Sequence, residues 1–189
     1  AARIYSIMGR DAFVRAIEQA IPHSHSYRVE YYLMTLDGPV RPSAVATEVH
    51  VRTAGPDDLD KVFPLQKRYE REEVLLPNHR LNASMCYRHL RKILAEQLVV
   101  VAEVGGRIVA KANTNSRGYR YDQVGGVFTE PGFRARGIAG ALMVRLSAMI
   151  RAQDRRVCLF VKKNNAPALA LYRRLGFETR DDFAITYYT

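Results

Sequence analysis

Hydrophobic residues recur along this chain with two different spacings. A repeat of three to four positions is typical of helices with one buried face, and alternation or a short apolar run is typical of strands. Over 11–20, Phe13 and Ile17 recur at one-face spacing and Pro22 ends the helix, while the Gly-Gly pair at 105–106 predicts a hairpin. The pattern further predicts helices over 57–73, 83–96, 137–152 and 166–175, and strands over 3–8, 28–36, 48–53, 98–104, 108–115, 119–129, 157–161 and 183–188.

These elements fall into two parts. Residues 1–46 hold a strand, a helix and a second strand, followed by the turn-forming residues of 37–43. One helix and two strands cannot bury a core alone. We therefore expect this αβ segment to pack on the following domain, 47–189, or to be the remnant of a domain whose earlier part precedes it. Strands and helices are mixed along 47–189, which predicts an α/β (mixed α+β) fold.

Composition excludes several classes of protein. Of 189 residues, 48% are hydrophobic and 25% are charged, which is typical of globular rather than disordered chains. No apolar run approaches the ~18–20 residues of a membrane-spanning helix, so no membrane partner is expected. Cys86 and Cys158 form neither a disulfide framework nor a zinc spacing. We therefore expect no metal and a reducing, cytoplasmic location.

The formal net charge is +10, and much of the excess lies in one segment. Residues 131–177 contain ten basic side chains against one acid, Asp154. A one-sided segment of this kind suggests a polyanionic partner. A phosphate-bearing cofactor, a nucleic acid and a plain solvated surface are all open at this point.

The clearest chemistry lies in 127–140. This stretch runs from a strand, through a loop with glycine and arginine, into a helix that opens near Gly137. Free N–H groups at a helix start bind phosphate, and Arg134 and Arg136 add charged donors. The Gly-Lys-Ser/Thr ending of a P-loop and the three spaced glycines of a dinucleotide-binding fold are absent from it. The stretch predicts a pyrophosphate cradle of another kind; the alternative is a plain connection with surface arginines.

A second segment, 165–177, predicts a short helix. Asn165 is a good N-cap, Pro167 is tolerated in a first turn, and Gly176 ends the helix. Tyr172 falls on the apolar face, where spacing alone favours a core aromatic over a catalyst.

Together the two segments resemble the GNAT superfamily of acyl-CoA N-acyltransferases. The family's cofactor motif is Arg/Gln-x-x-Gly-x-Gly/Ala, and 134–139 (Arg-Ala-Arg-Gly-Ile-Ala) fits every fixed position. Its later motif is Asn-x-x-Ala-x-x-Leu-Tyr-x-x-Leu-Gly-Phe, which 165–177 fits without a gap. The likeness covers about 48–189, and 1–46 weakly resembles the tail of a degenerate second GNAT-like half. The likeness implies the GNAT fold, a mixed and mostly antiparallel sheet flanked by helices, and direct N-acetylation of a primary amine by acetyl-CoA in a ternary complex.

The resemblance also implies roles for particular residues. The backbone of 127–129 would bond the pantetheine arm and the acetyl carbonyl, and 134–140 would hold the CoA pyrophosphate. Asn165 would contact the cofactor. Tyr172 would protonate the leaving thiolate, which a phenol of pKa about 10 can do without ionising first. The residues assigned to the cofactor are Val127, Phe128, Thr129, Arg134, Ala135, Arg136, Gly137, Ile138, Ala139, Gly140, Asn165 and Tyr172.

The general base is expected shortly before the cofactor loop, where family members often use a carboxylate. Asp122 is the better chemical choice beside Gln123, and Glu130 is a weaker alternative. The acceptor, a small-molecule or protein amine, is expected at the first two helices of the domain and their loop. Glutamates there could attract a cationic amine or simply be solvated. The residues concerned are Tyr69, Glu70, Glu72, Glu73, Asn78 and Arg80.

Two other functions stay open. A non-catalytic acyl-CoA-binding or sensor domain would keep the cofactor loop and lack a working base. A nucleic-acid-binding protein would use the basic segment, but helix-turn-helix, RNP and zinc patterns are absent from the sequence, so it ranks last. The oligomeric state is open.

Overall fold

The computed structural model describes residues 4–22, 24–77 and 79–188. Its strands are β1 (Ser6–Arg10), β2 (Tyr27–Leu36), β3 (His50–Thr53), β4 (Val99–Val104), β5 (Arg107–Arg117), β6 (Tyr121–Thr129), β7 (Arg156–Lys162) and β8 (Glu178–Tyr187). Its helices are α1 (Asp11–Ala20), α2 (Leu59–Tyr69), α3 (Ala83–Glu96), α4 (Ile138–Arg151) and α5 (Ala166–Leu175). Short 3₁₀ turns cover Pro56–Asp58 and Pro131–Phe133, and a π turn covers Glu70–Val74. Among these residues no helix has the length and apolar character needed to cross a bilayer.

One eight-stranded sheet organises these elements, in the order β1-β8-β2-β7-β6-β5-β4-β3. Neighbouring strands are antiparallel except β6 and β7, which are parallel. The mixed, mostly antiparallel sheet flanked by helices that the resemblance implies is therefore confirmed.

The first two strands of the chain are built into this sheet. β2 lies between β7 and β8 and pairs with both, and β1 pairs with the outer side of β8. α1 is held to β2 by Arg28, which bonds Asp11 and Glu18. The chain before residue 47 thus supplies two strands of a common sheet, and the domain boundary placed there stays a prediction.

Helices cover both faces of the sheet. α4 packs Leu142 on one face, and α2 and α3 pack Leu65 and Leu90 on the other. Because adjacent residues of a strand point to opposite faces, β4 places Val100 in the core with α4 and Val101 in the core with α2 and α3.

Two elements differ most from the prediction. β8 begins five residues before the predicted start at 183. The sequence did not predict Glu-Thr-Arg-Asp-Asp (178–182) as a strand because these residues carry no apolar alternation, and in the structure they pair with β2 alone. The predicted helix over 57–73 divides into a 3₁₀ turn, α2 and the π turn, where the N–H of Leu75 donates to the carbonyl of Glu70 at 2.8 Å.

Candidate active site

The parallel strands β6 and β7 lie side by side only over their first halves. Their pairing runs from Tyr121 and Arg156 to Val124 and Leu159, and the strands then part. A cavity of 810 Å³ lies in the opening, lined by β6, β7, the π turn and the first turns of α4 and α5. The geometry of the sheet thus creates a cavity where the sequence predicts the cofactor.

Eleven of the twelve residues assigned to the cofactor line this cavity. The exception is Arg136, whose guanidinium stacks 5.3 Å from the centre of the Phe133 ring. Arg134 lies on the wall but is already bonded, to the Thr129 carbonyl at 3.0 Å and to Glu72 at 2.7 Å. The backbone, more than the arginines, is therefore the free donor set of this loop.

The start of α4 has the features of an anion site. Its N-cap Gly137 has φ 76°, and a Cβ there would lie 2.1 Å from the Ala44 carbonyl oxygen, so only glycine fits. No hydrogen bond joins the N–H groups of 138–140 to another residue in the described part of the chain. Unpaired amides at the positive end of a helix dipole suit a phosphate.

The second motif reaches the same cavity from α5. The Asn165 side chain accepts from the N–H of Ala168 at 3.2 Å, which confirms it as the N-cap. Tyr172 lies on the cavity wall with only 7% of its surface exposed. Burial raises the pKa of its phenol well above the ordinary value, with smaller contributions from Tyr69 and Glu73. Tyr172 is therefore both a core residue and a wall residue.

The structure does not bring Asp122 to the cavity, so its assignment as the general base is not supported. Its carboxylate is 0% exposed and lies 3.3 Å from Arg155 and 3.5 Å from Arg117. Asp122 lies where β6 is still paired with β7, opposite Val157 and before the strands part. The neighbouring Gln123 does line the cavity.

Arginines also hold the alternative base, Glu130. Its carboxylate is bonded by Arg107 and lies 3.4 Å from Arg68, away from the residues that line the cavity. The basic segment is similarly engaged: five of its ten basic residues form ion pairs with acids from other parts of the chain, namely Arg134, Arg155, Arg156, Lys162 and Lys163.

A buried lysine behind the cavity was not expected from the sequence. Lys111 is 1% exposed, and its Nζ donates to the Gly126 carbonyl and to Asn113 Oδ1, both at 3.0 Å. Gly126, at φ 58°, forms a bulge of β6 on the cavity wall, where a Cβ would strike Asn113 at 2.1 Å. Burial lowers the pKa of Lys111 to about 7. The sequence feature that could have indicated this buried lysine is a single lysine inside the apolar run 108–112.

The opposite side of the cavity carries aromatic residues from β2, β7 and β8. We name Tyr31, Phe160, Phe183 and Tyr187 the aromatic floor; all four line the cavity and are half-buried. Tyr31 comes from the segment before residue 47, which the sequence did not connect with the site.

The residues predicted for the acceptor are only partly brought together. Tyr69 and Glu73 line the cavity, and Glu73 pairs with Lys162 at 3.3 Å. Glu70 is instead bonded by Gln66 Nε2 at 2.8 Å. Of the others, Glu72 binds Arg134, Arg80 is exposed away from the cavity wall, and Asn78 lies outside the described residues.

Residues 95–179 match the family model for an acetyltransferase (GNAT) domain. This stretch of the chain is similar to GNAT acetyltransferase domains. The match runs from the end of α3 into β8 and includes both motifs.

Solved structures show the same GNAT fold. A GNAT-family structure from Novosphingobium aromaticivorans has a TM-score of 0.65 and 24% identity, covering 86% of this chain and 65% of that one. A GCN5-related N-acetyltransferase from Sphaerobacter thermophilus has a TM-score of 0.65 and 21% identity, covering 96% and 58%. A predicted acetyltransferase with acetyl-CoA from Clostridium acetobutylicum has a TM-score of 0.58 and 23% identity, covering 70% and 92%.

Curated acetyltransferases are similar to part of this chain. One from Pectobacterium atrosepticum is 35% identical over 88 residues, 44% of this chain and 60% of that protein. Another from Yersinia enterocolitica is 33% identical over 89 residues, 45% of this chain and 60% of that protein. The chain thus spans about 60% of the length of these relatives.

Proposed function

We propose that this GNAT domain transfers an acetyl group from acetyl-CoA directly to a primary amine of a small molecule or protein. The observation that carries the proposal is the cavity between the parted strands β6 and β7. It joins the start of α4 to the aromatic floor, and Tyr172 lies on its wall.

The chain's own backbone fits the cofactor. The unpaired N–H groups of 138–140 would hold the pyrophosphate at the positive end of α4. After Val124, β6 has no ladder with β7 among the described residues, so 125–129 presents a strand edge toward the opening. Such an edge would bond an extended chain bearing amides, which is the chemistry of pantetheine.

Direct transfer agrees with the groups on the cavity wall. The amine nitrogen would attack the thioester carbonyl, the carbon–sulfur bond would break, and the Tyr172 hydroxyl would donate a proton to the leaving thiolate. The acylated nitrogen would lose one proton, which would return through water to the Tyr172 phenolate, so the products are the amide and the CoA thiol. Burial raises the pKa of Tyr172, so the phenol stays protonated at neutral pH. Neither Cys86 nor Cys158, both in the described part of the chain, lines the cavity, and burial raises the pKa of the Cys158 thiol to about 11. This argues against an acetyl-cysteine intermediate.

The acceptor would enter as the neutral amine. Asp122 and Glu130 are both held by arginines away from the cavity. An alkylammonium has a pKa of about 10.4, so we expect kcat/KM to rise with pH toward the pKa of the acceptor rather than to level off near the pKa of a carboxylate. The position of both carboxylates away from the cavity also favours the second candidate, an acyl-CoA sensor that binds the cofactor without acetyl transfer.

A substitution at Ala139 tests the cofactor site. Ala139 is the second residue of α4 and lies on the cavity wall. Ala139→Asp places a carboxylate where the pyrophosphate is proposed, yet an acid in a first turn stabilises a helix. Ala139→Asn has the same size without the charge. We expect calorimetry to show at least about tenfold weaker CoA binding for the Asp variant than for the Asn variant. Equal affinities would place the cofactor elsewhere.

Acetyl transfer itself is tested with an amine panel. Release of CoA thiol and the mass of the acetylated product are measured together, so that hydrolysis and transfer are separated. Transfer to any amine supports the enzyme, whereas CoA binding without transfer to any amine supports the sensor.

A further inference from the structure

The acceptor side of the cavity has a definite chemistry, and its geometry follows from strand register. Val161 packs in the core with α4, so its neighbour Phe160 points to the other face of the sheet. Tyr31 pairs with Lys162 on one side and with Phe183 on the other. Paired residues share a face, so these side chains lie together on the face opposite α4.

The aromatic floor is preformed. The Phe160 and Phe183 ring centres are 4.3 Å apart with an interplanar angle of 42°, although their strands lie on either side of β2. The floor begins where the cover of α2 and α3 over β4 to β6 ends. A ring entering from this side would meet fixed rings and would not need to order them, which favours binding.

The charges around the floor do not favour a cationic partner. Glu73 is the one carboxylate on the cavity wall among the described residues, and Lys162 neutralises it at 3.3 Å while also donating to the Glu73 carbonyl at 2.7 Å. The wall also carries Arg134 and Arg174. Glu72 pairs with Arg134 at 2.7 Å, so a polyamine or a basic peptide would meet Arg174 and no unpaired carboxylate on the wall among the described residues.

Resting on the proposed acetyl transfer, we propose that the acceptor is a primary amine that carries an aromatic ring, with the ring seated on the aromatic floor and the amino group directed to the opening between β6 and β7. β2, from the segment before residue 47, would then help to select the acceptor through Tyr31. Aromatic pairs prefer offset or edge-on contacts, and the tilted pair of Phe160 and Phe183 offers both a face and an edge.

The experiment compares acceptors and variants of the described chain. With acetyl-CoA, kcat/KM is measured for phenethylamine, butylamine and spermidine. We expect phenethylamine to exceed each of the others by about tenfold or more. Tyr31→Thr removes the ring but keeps a residue that favours strands, and Tyr31→Phe keeps the ring as the matched control. The preference should fall about tenfold in the Thr variant and change less than about threefold in the Phe variant.

An apolar ring could also arrive on the acyl group, so a second arm offers phenylacetyl-CoA with methylamine as acceptor. If the ring preference appears on the acyl group and not on the amine, or if spermidine or butylamine equals phenethylamine, the proposal is wrong. If circular dichroism shows that Tyr31→Thr does not fold, Phe183→Leu is used in its place. This substitution also removes a ring of the aromatic floor and changes the packing less.

Failure of acetyl transfer is separated from failure of the ring site. If no amine is acetylated although CoA binds, saturation-transfer NMR of phenethylamine on the CoA-loaded protein measures binding of the ring to the aromatic floor without the reaction. Signal in the wild type that is lost in Tyr31→Thr supports the ring site without the reaction, and equal signals overturn it.

Discussion

Replacing Lys111 by Met should remove a pH dependence of stability that the buried amine creates. Lys111 is 1% exposed and burial lowers its pKa from 10.5 to about 7. The unfolded chain therefore binds one proton more than the folded chain between about pH 7 and 10.5, and the free energy of unfolding rises with pH across that window. Below pH 7 the amine is charged in both states, and the full cost of burying the charge is present.

The magnitude follows from the two pKa values. Each pH unit inside the window contributes at most about 1.4 kcal/mol, and the whole difference is worth roughly 5 kcal/mol. Between pH 7 and pH 9, the wild type should thus gain about 2–3 kcal/mol relative to Lys111→Met. Other groups that titrate in the window are common to both proteins and cancel in the comparison.

Urea unfolding followed by circular dichroism at pH 6, 7, 8 and 9 provides the measurement. Parallel stability curves for the two proteins would refute the reasoning, because they would mean that Lys111 does not release its proton in the folded state. The Met variant also leaves the Gly126 carbonyl and Asn113 without a donor, so its stability at high pH should be lower by about 1–3 kcal/mol.

Three further changes separate structural from catalytic roles. Tyr172→Phe should lower turnover by about 10²-fold or more with little change in CoA affinity, and wild-type turnover would remove the hydroxyl from the mechanism. Asp122→Asn should lower the free energy of unfolding by about 1–3 kcal/mol, since Arg155 loses its buried partner. Its turnover per folded molecule should stay within about threefold, and a loss of about 10²-fold would restore the base assignment. Removal of 1–46 takes away β2 from between β7 and β8, so thermal melting should lose its cooperative transition, and a sharp melt would show that the rest of the sheet closes without it.

The parts of the site that local chemistry specifies could be predicted from the sequence. The loop before α4 and the start of α5 depend on N-caps, glycines and helix-start amides within a few residues of one another. The structure accordingly places Gly137, Asn165 and Tyr172 on one cavity. Resemblance to the GNAT family added the roles, and the parallel pair β6 and β7 brought the two segments together.

Contacts between distant parts of the chain could not be predicted in the same way. Nothing in the pattern of 27–36 shows that β2 enters between β7 and β8, because strand order depends on pairing across more than 100 residues. The alternation of β6 did indicate that Asp122 is buried. Asp122 alternates with the buried Val124 along β6, a pattern that favours a buried, paired carboxylate. The position of Lys111 inside the apolar run 108–112 likewise indicates a buried charged group.

Asp122 and Lys111 lie at the two ends of the segment over which β6 separates from β7. Asp122 binds Arg155, the residue before β7, and so ties β6 to β7 where their pairing begins. Lys111 binds the Gly126 carbonyl at the bulge where β6 turns away. The two strands are therefore joined where their pairing begins and separate at the bulge, and the width of the opening would set the space for the proposed thioester. Loosening the Asp122 end should therefore affect mainly stability, whereas loosening the Lys111 end should shift the exposed edge of 125–129 and weaken CoA binding. Calorimetry of Asp122→Asn beside Lys111→Met tests this directly, and equal CoA affinities in the two variants would show that the width of the opening does not depend on the bulge.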